Sequence, residues 1–513
     1  MRIPFPERIS LGGIFCFSAL LFTVQLLEGT SLVFAVCCLL FINIATIAFN
    51  LAGGFTRPSG AYVFFYAVLT VILGLVWKAY IGEPADSNLT TPLLTISVFL
   101  GGISSMLAAV FISRKLTTKR AILRNMVTDA DMRNATVGSM FIGILLIVIL
   151  SVVPHGEGSV LSALTQLNRF LPMAIVLGTI HQIRKSGGTS SVNIPVLISG
   201  VVIFCVYGLL YFSKEGMFIP VLSWAVAAAS QRYNLSFYKI AAGAGVIFFM
   251  FHFLVPYSQY GRNFRDEDST FSQKIDIAAS LLTNLEGVRE ESNANANEVY
   301  ELGTSGYYNT PQGFFDRLQM ISVDDALISY TDQSGTIGYA PIIVGFENLV
   351  PHFLWKNKPV IGYGNYYAHE LGNLAEDDFS TGISFSPTGE GFHIDRWTGV
   401  LIVAPILWII LFTLFDSLCG DVRSSPWGLL VIAYFAHMAP EGMLGGVIYM
   451  FGFTTIGIVF VAVTAEYILP LIGTLIAGPE QRRIVRVRLP HSFPRRFSPR
   501  RLSASPSSEG IGS

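Results

Sequence analysis

Four cations and two proton acceptors stand out as residues that could do chemistry. Lys214 in "YFSKEGMF", Arg262 and Arg265 in "VPYSQYGRNFRDED" (255–268) and Arg169 in "TQLNRFLP" each interrupt or adjoin an apolar run. Ionisable groups at membrane depth are costly and mark function by default. Arginine suits phosphate because its planar fork donates two parallel hydrogen bonds. A group of such charges would hold a phosphate or diphosphate and stabilise negative charge developing on it. Glu390, the lone acid in "STGISFSPTGEGF" (380–392), is a candidate base for an attacking hydroxyl, with His369 as a second. Each residue also has a structural alternative. Arg169 pairs with a carbonyl or an acid on a neighbouring span, and Lys214 snorkels to the interface beside Glu215. Arg262 and Arg265 are interfacial cations in an aromatic belt, and the Glu390 stretch is a flexible linker.

The elements that position these groups are membrane spans. The chain has 513 residues, 52% of them hydrophobic and only 13% charged, with a mean hydropathy of +0.56. Soluble proteins carry about twice that charge. Apolar runs long enough to cross a bilayer fall near 11–27, 31–50, 60–81, 90–113, 135–154, 158–183, 192–212, 217–230, 240–256, 397–415, 428–446 and 447–470. The expected fold is therefore an all-α polytopic membrane protein of about twelve transmembrane helices, nine in 1–256 and three in 397–472. With the N-terminus cytoplasmic, the inner loops hold Arg57, Arg114 to Arg133, Arg184 and Lys185, Arg232 to Lys239, and Arg423. The outer loops "EGTS", "GEPADSNLTT" and "PHGEG" are acidic or neutral, and only "SKEG" puts a lysine outside. A basic tail, 473–513, carries eight arginines in "RRIVRVRLPHSFPRRFSPRR" and is expected to be disordered and cytoplasmic.

The same alternation places 257–396 outside. This segment holds 20 of the 34 acids and 8 of the 33 basic residues, and none of the five cysteines (Cys16, Cys37, Cys38, Cys205, Cys419). A disulfide framework is not implied, and neither Cys nor His falls at metal spacing. Helices are expected at "KIDIAASLLTNLEGV" (274–288), at "TPQGFFDRLQMI" with Thr310 as cap and Pro311 following, and at "SVDDALISY" with Ser322 as cap. "SNANANE" (292–298) reads as mobile. "VPHFLWKNKPVIGYGNYYAHELG" (350–372) offers aromatic faces and amides suited to sugar rings, or else interface anchors. P-loop, GxSxG and GxGxxG motifs are absent from the chain, which leaves nothing to hold a nucleotide. His437 and Glu441 in "HMAPEGM" end a span on the outer side and are placed to join a site there.

In order and topological placement, "FSKEG", "PYSQYGRN", "FLWKNKP", "STGISFSPTGEGF" and "RWTGVL" together resemble the Wzy-type oligosaccharide repeat-unit polymerases of the bacterial inner membrane. The likeness covers roughly 200–420. "GEGFHIDRW" departs from it, since that family more usually has a Tyr and an Asn-Phe-Gly there. The resemblance implies a GT-C-like, metal-independent glycosyltransferase with a large helical extracytoplasmic loop and no cofactor. Donor and acceptor would be glycans on undecaprenyl diphosphate, with a flippase and a chain-length regulator as protein partners and no nucleic acid. It assigns Lys214, Arg262, Arg265 and Arg169 to the diphosphate, and Glu390 or His369 to the base. Lys358, Tyr366, Thr381, Ser384 and Arg396 then line the glycan site. An O-antigen ligase-like transferase and a transporter or flippase of lipid-linked glycan are the competing readings.

Overall fold

A computed structural model describes the chain apart from residue 125 and residues 154–163, 165–167, 265–270, 302–305, 360, 375, 379–380 and 479–513. Residues 479–513 of the basic tail, the "PHGEG" loop and Arg265 therefore lie outside the described residues, while 473–477 of the expected tail are helical. Among those described, regular structure is helical, and an isolated bridge between Arg2 and Asn234 is the one β feature. The first half comprises α1 (Leu11–Leu27), α2 (Leu32–Ala52), α3 (Pro58–Ile81), α4 (Pro92–Leu116), α5 (Met132–Val152), α6 (Phe170–Lys185), α7 (Ile194–Leu210), α8 (Lys214–Ser230) and α9 (Phe237–Phe264). Between the two groups of spans lie α10 (Phe271–Thr283), α11 (Leu285–Glu301), α12 (Ile321–Ser334), α13 (Ala340–Glu347) and α14 (Tyr363–Glu370). The last four are α15 (Pro387–Cys419), α16 (Pro426–Glu441), α17 (Met443–Tyr467) and α18 (Leu469–Ala477).

Seven of these helices, α2, α3, α4, α5, α9, α15 and α17, are long and apolar enough to cross a membrane. The protein is thus a helical membrane protein by composition and architecture. The other five expected spans appear as shorter helices. α6, α8 and α16 have 16, 17 and 16 residues, about 25 Å at 1.5 Å per residue, short of a ~30 Å hydrocarbon core.

Packing is close where small residues meet backbone. On α5 and α18, a Cβ at Gly138 would fall 2.1 Å from the Leu469 carbonyl oxygen, and one at Gly473 only 1.9 Å from that of Asn134. Without a hydrophobic drive between helices in lipid, such approach is what holds spans together. The central core gathers Tyr62, Tyr66, Trp408, Phe412, Trp427 and Phe435, all fully buried, with Trp408 Nε1 donating to the Tyr62 hydroxyl at 3.2 Å.

Hydrogen bonds sort the connections by end of the bundle. At one end the Met1 ammonium donates to Asn234 and Leu235, Ile122 N donates to the Ser417 carbonyl, Arg57 faces Asp416, Arg184 pairs with Asp129, and Arg423 pairs with Glu7. At the other, Ser31 N donates to Asp86, Asn309 N to Glu83, the Tyr307 hydroxyl to the Ala85 carbonyl, and Thr90 N and Thr91 N to Asp325. The basic connections thus share one end and the acidic ones the other, as alternating spans require.

Several local expectations change. "SNANANE" continues α11 rather than forming a mobile hairpin. Thr310 caps nothing, because the chain there makes only a 3-10 turn, Phe315–Arg317. α12 starts one residue before Ser322, with Asp324 in its first turn, and both Asp324 and Asp325 are buried. α15 begins ten residues earlier than the expected span.

Candidate functional site

Composition alone puts Glu390 in a flexible loop, yet it lies in the first turn of α15 and is 1% exposed. The local sequence explains the helix. Ser386 is an N-cap whose hydroxyl accepts from Gly389 N at 3.0 Å, and Pro387 occupies the first helical position. Two anchors fix this turn from outside. Asp324 of α12 accepts from Ser386 N at 3.0 Å and from the Ser386 hydroxyl, and Tyr66 of α3 meets the Thr388 hydroxyl at 2.5 Å. Gly389 serves this contact, since a Cβ there would fall 2.5 Å from the Asp324 carboxyl carbon. Its smallness admits α12. Burial pushes the Asp324 carboxyl up to about 7, against the Ser386 bonds and with help from the nearby Glu390 charge.

The Glu390 carboxylate accepts from the Tyr367 hydroxyl at 3.0 Å and from Leu444 N at 2.5 Å. Burial, then the adjacent Glu390 charge, raise the Tyr367 phenol, so it keeps its proton and donates. Beside the carboxylate opens a cavity of about 330 Å³, lined by Tyr363, Val344, Asn348, Met438, Met443 and Tyr449 among others. Glu390 is the only ionisable carboxylate in that lining.

The cations assemble around a different set of elements. Lys214 is the first residue of α8, behind Ser213, whose hydroxyl caps Gly216 N at 3.2 Å. Arg262 closes α9, and Arg317 ends the 3-10 turn. Arg317 and Arg262 are the charges acting most strongly on Lys214, with Glu441 opposing them. Arg317 is exposed and lies against the side chain of Gln259. Its guanidinium is pushed below its ordinary value by burial and then by Arg262. Three like charges that act on one another favour an anion among them.

Arg169 forms a neighbouring station. Its guanidinium lies 4.1 Å from the centre of the Tyr434 ring and donates to the Tyr434 hydroxyl at 2.9 Å. Tyr449 and Glu215 also act on it electrostatically. Arg169 Nε and Asn168 Oδ1 are buried with no hydrogen-bond partner among the described residues, a cost that a bound polar group would relieve.

Residues 437–449 join the stations. Glu441, in ion-pair range of His437 at 3.7 Å, ends α16 beside the cations. The chain then breaks at Met443 (φ +53°), which lets Leu444 N turn to Glu390. Tyr449 lies on the cavity wall and beside Arg169 at once.

Other expected residues lie apart from this arrangement. The His369 ring meets the Asp378 carbonyl at 2.9 Å. His393 is the histidine that packs on Tyr367, edge to face at 5.0 Å, and it bridges Thr331 (2.8 Å) and Glu370 (3.2 Å). Lys358 donates to the Asn348 and Val350 carbonyls at 3.3 and 2.8 Å, closing the end of α13. Arg396 stands on a kink in α15 (φ +45°), 3.6 Å from Asp332. Tyr366 and Thr381 are exposed, and Ser384 is half-buried. Arg317, Tyr367, Tyr434 and Tyr449 complete the site, although sequence reasoning does not single them out. A cation such as Arg317 inside a strongly acidic segment is the available signal. Among the described residues no group of three His, Cys, Asp or Glu is placed to hold a metal ion.

Compared with protein-family models, curated proteins and solved structures, the chain yields no match. The site's own geometry carries the functional reading.

Proposed function

We propose that this protein is a membrane glycosyltransferase that polymerises oligosaccharide repeat units carried on undecaprenyl diphosphate, at the outer face of a bacterial inner membrane with both termini cytoplasmic. The observation that carries the reading is the union, through residues 437–449, of a three-cation group with a buried carboxylate that faces a cavity. Glycosyl transfer from a lipid diphosphate needs both parts. The acceptor hydroxyl oxygen bonds to the anomeric carbon of the donor as its bond to the diphosphate oxygen breaks. The hydroxyl proton goes to Glu390, and the electron pair leaves with the diphosphate. Lys214, Arg262 and Arg317 meet the charge that develops there, and Arg169 is placed to contact it more deeply. A transporter of the same lipid would need the cations but would have no use for a positioned base.

The test is extension of a defined undecaprenyl-diphosphate-linked repeat unit by the purified full-length protein in lipid discs. The wild type is expected to give a ladder of products. Glu390→Gln preserves size and one acceptor, and is expected to bind substrate yet extend it about 10²–10⁴-fold more slowly. Normal ladders from Glu390→Gln would remove the base assignment. Transfer only to lipid A would favour the ligase reading, and uptake without bond formation the transporter.

A further inference from the structure

Charge alternation along the chain places the stretch from Tyr339 to Trp355 in a water-facing loop, yet it is built like a segment immersed in hydrocarbon. Tyr339, Ile343, Phe346 and Val350 fall at helical spacing on one face and are 45%, 56%, 44% and 37% exposed. Phe353, Leu354 and Trp355 continue that surface at 40%, 69% and 38%. The opposite face of α13 turns inward: Pro341 and Val344 are buried and line the cavity, and the Glu347 charge acts on Tyr363.

Depth follows from what α13 packs against. A Cβ at Gly345 would meet Ile448, one at Gly452 would meet Leu349, and the Phe346 and Phe451 ring centres lie 6.0 Å apart. Those partners belong to α17, a 25-residue span starting at Met443. At 1.5 Å per residue Gly452 lies about 13 Å along that span, well past the few ångströms by which such a helix overhangs a ~30 Å core. Backbone groups at membrane depth must be satisfied within the protein, and most of those in this stretch are. Asn348, Leu349, Val350, Leu354 and Trp355 donate to carbonyls three or four residues back, and Lys358 takes the Asn348 and Val350 carbonyls. Lys356 and Asn357, both exposed, then mark the return to polar surroundings.

We propose that residues 339–355 form a re-entrant element whose exposed face contacts bilayer hydrocarbon, and that it makes the membrane-side wall of the Glu390 cavity. The partner of this face is lipid, not protein and not water. The assignment does not depend on the glycosyltransferase reading, although it would set a lipid-linked substrate beside the cavity. It is tested with single nitroxide labels at Ile343, Phe346 and Leu354, and at exposed Gln333 on α12 as the aqueous reference. The full-length chain is used, with Cys16 and Cys205 replaced by serine, in phosphatidylethanolamine–phosphatidylglycerol vesicles. Relaxation by oxygen is expected to rise, and by a water-soluble nickel chelate to be lost, at the three sites relative to Gln333. Nickel access equal to that at Gln333 would overturn the proposal. Dipolar broadening between labels on two copies would also overturn it, by making a second chain the partner. Relaxation of the labels needs no turnover, so a protein that made no polymer would still reveal whether lipid covers this wall.

Discussion

At the scale of single residues, chemistry is visible wherever charge breaks a pattern, and hidden wherever the partner is neutral. Lys214, Arg262, Arg169 and Glu390 can be picked out because each is an ionisable group at the edge of an apolar run. Tyr367, Tyr434 and Tyr449 cannot, since a tyrosine within an apolar helix or in a loop facing the membrane is ordinary in any membrane protein. Arg317 sits between these cases. It lies in "FFDRLQM", which reads as one turn of an amphipathic helix, and only the fold brings it to Lys214 and Arg262. If the three share one diphosphate, Arg317→Ala should lower the rate of extension by about a hundredfold or more while the protein remains in the membrane. Arg317→Lys should recover only part, because an ammonium cannot reproduce the bidentate fork. Lys119→Ala, at an exposed position at the opposite end, should leave the rate unchanged. Full activity in Arg317→Ala would reduce the group to Lys214 and Arg262.

At the scale of elements, helix existence is legible and helix starts are not. The long spans appear as read, while the periodic run 274–288 is helical but divided between α10 and α11 at Asn284. The start of α15 is missed, although "FSPTGE" contains the cap and the proline that mark it. Abundant Gly, Ser and Thr suggest a loop, and tertiary anchoring outweighs that preference. The anchor is Asp324, which ties α12 to the Ser386 cap, and it makes the joint sensitive to pH. Its carboxyl is raised from 3.8 to about 7, chiefly by burial. The folded protein therefore holds this proton more tightly than the unfolded chain does. The stabilisation is fully present below about pH 4 and is lost as pH rises through about 7, with a ceiling of roughly 4 kcal/mol for a three-unit difference. Thermal unfolding in detergent should accordingly show falling stability from pH 5 to pH 8. Asp324→Asn retains an acceptor for Ser386 N and cannot ionise, so its profile should be flatter over that range. Parallel profiles for the two proteins would place the proton elsewhere.

For the molecule as a whole, the segregation of charge along the sequence has a physical counterpart in the two ends of the bundle. The loops holding Arg57, Arg184 and Arg423 are joined to the N-terminus and to one another by bonds such as Ile122 N to Ser417 O (3.0 Å) and Met1 N to Leu235 O (2.7 Å). Lys214, Arg262 and Arg317 gather instead at the end where Phe315 stacks on Trp77, near the acidic loop that follows α3. Three arginines at the first end pair with acids, Arg57 with Asp416, Arg184 with Asp129 and Arg423 with Glu7 and Asp421, whereas at the second end Lys214, Arg262 and Arg317 act on one another, with Glu441 opposing them. The second pattern is the one that favours an anion. Cytoplasmic retention of basic loops would then put the cation group and Glu390 outside, where a lipid-linked glycan is reached after its transfer across the membrane. Reporter fusions after Asn293 on α11 and after Ser503 in the basic tail test this together. An enzyme active only outside should be active at Asn293 alone, and a fluorophore that matures only inside should light up at Ser503 alone. The same compartment for both would mean an odd number of crossings is missing or added between them. If that shared compartment were the cytoplasm, the cations would face the side where repeat units are built and not joined, and the polymerase reading would fail with the topology.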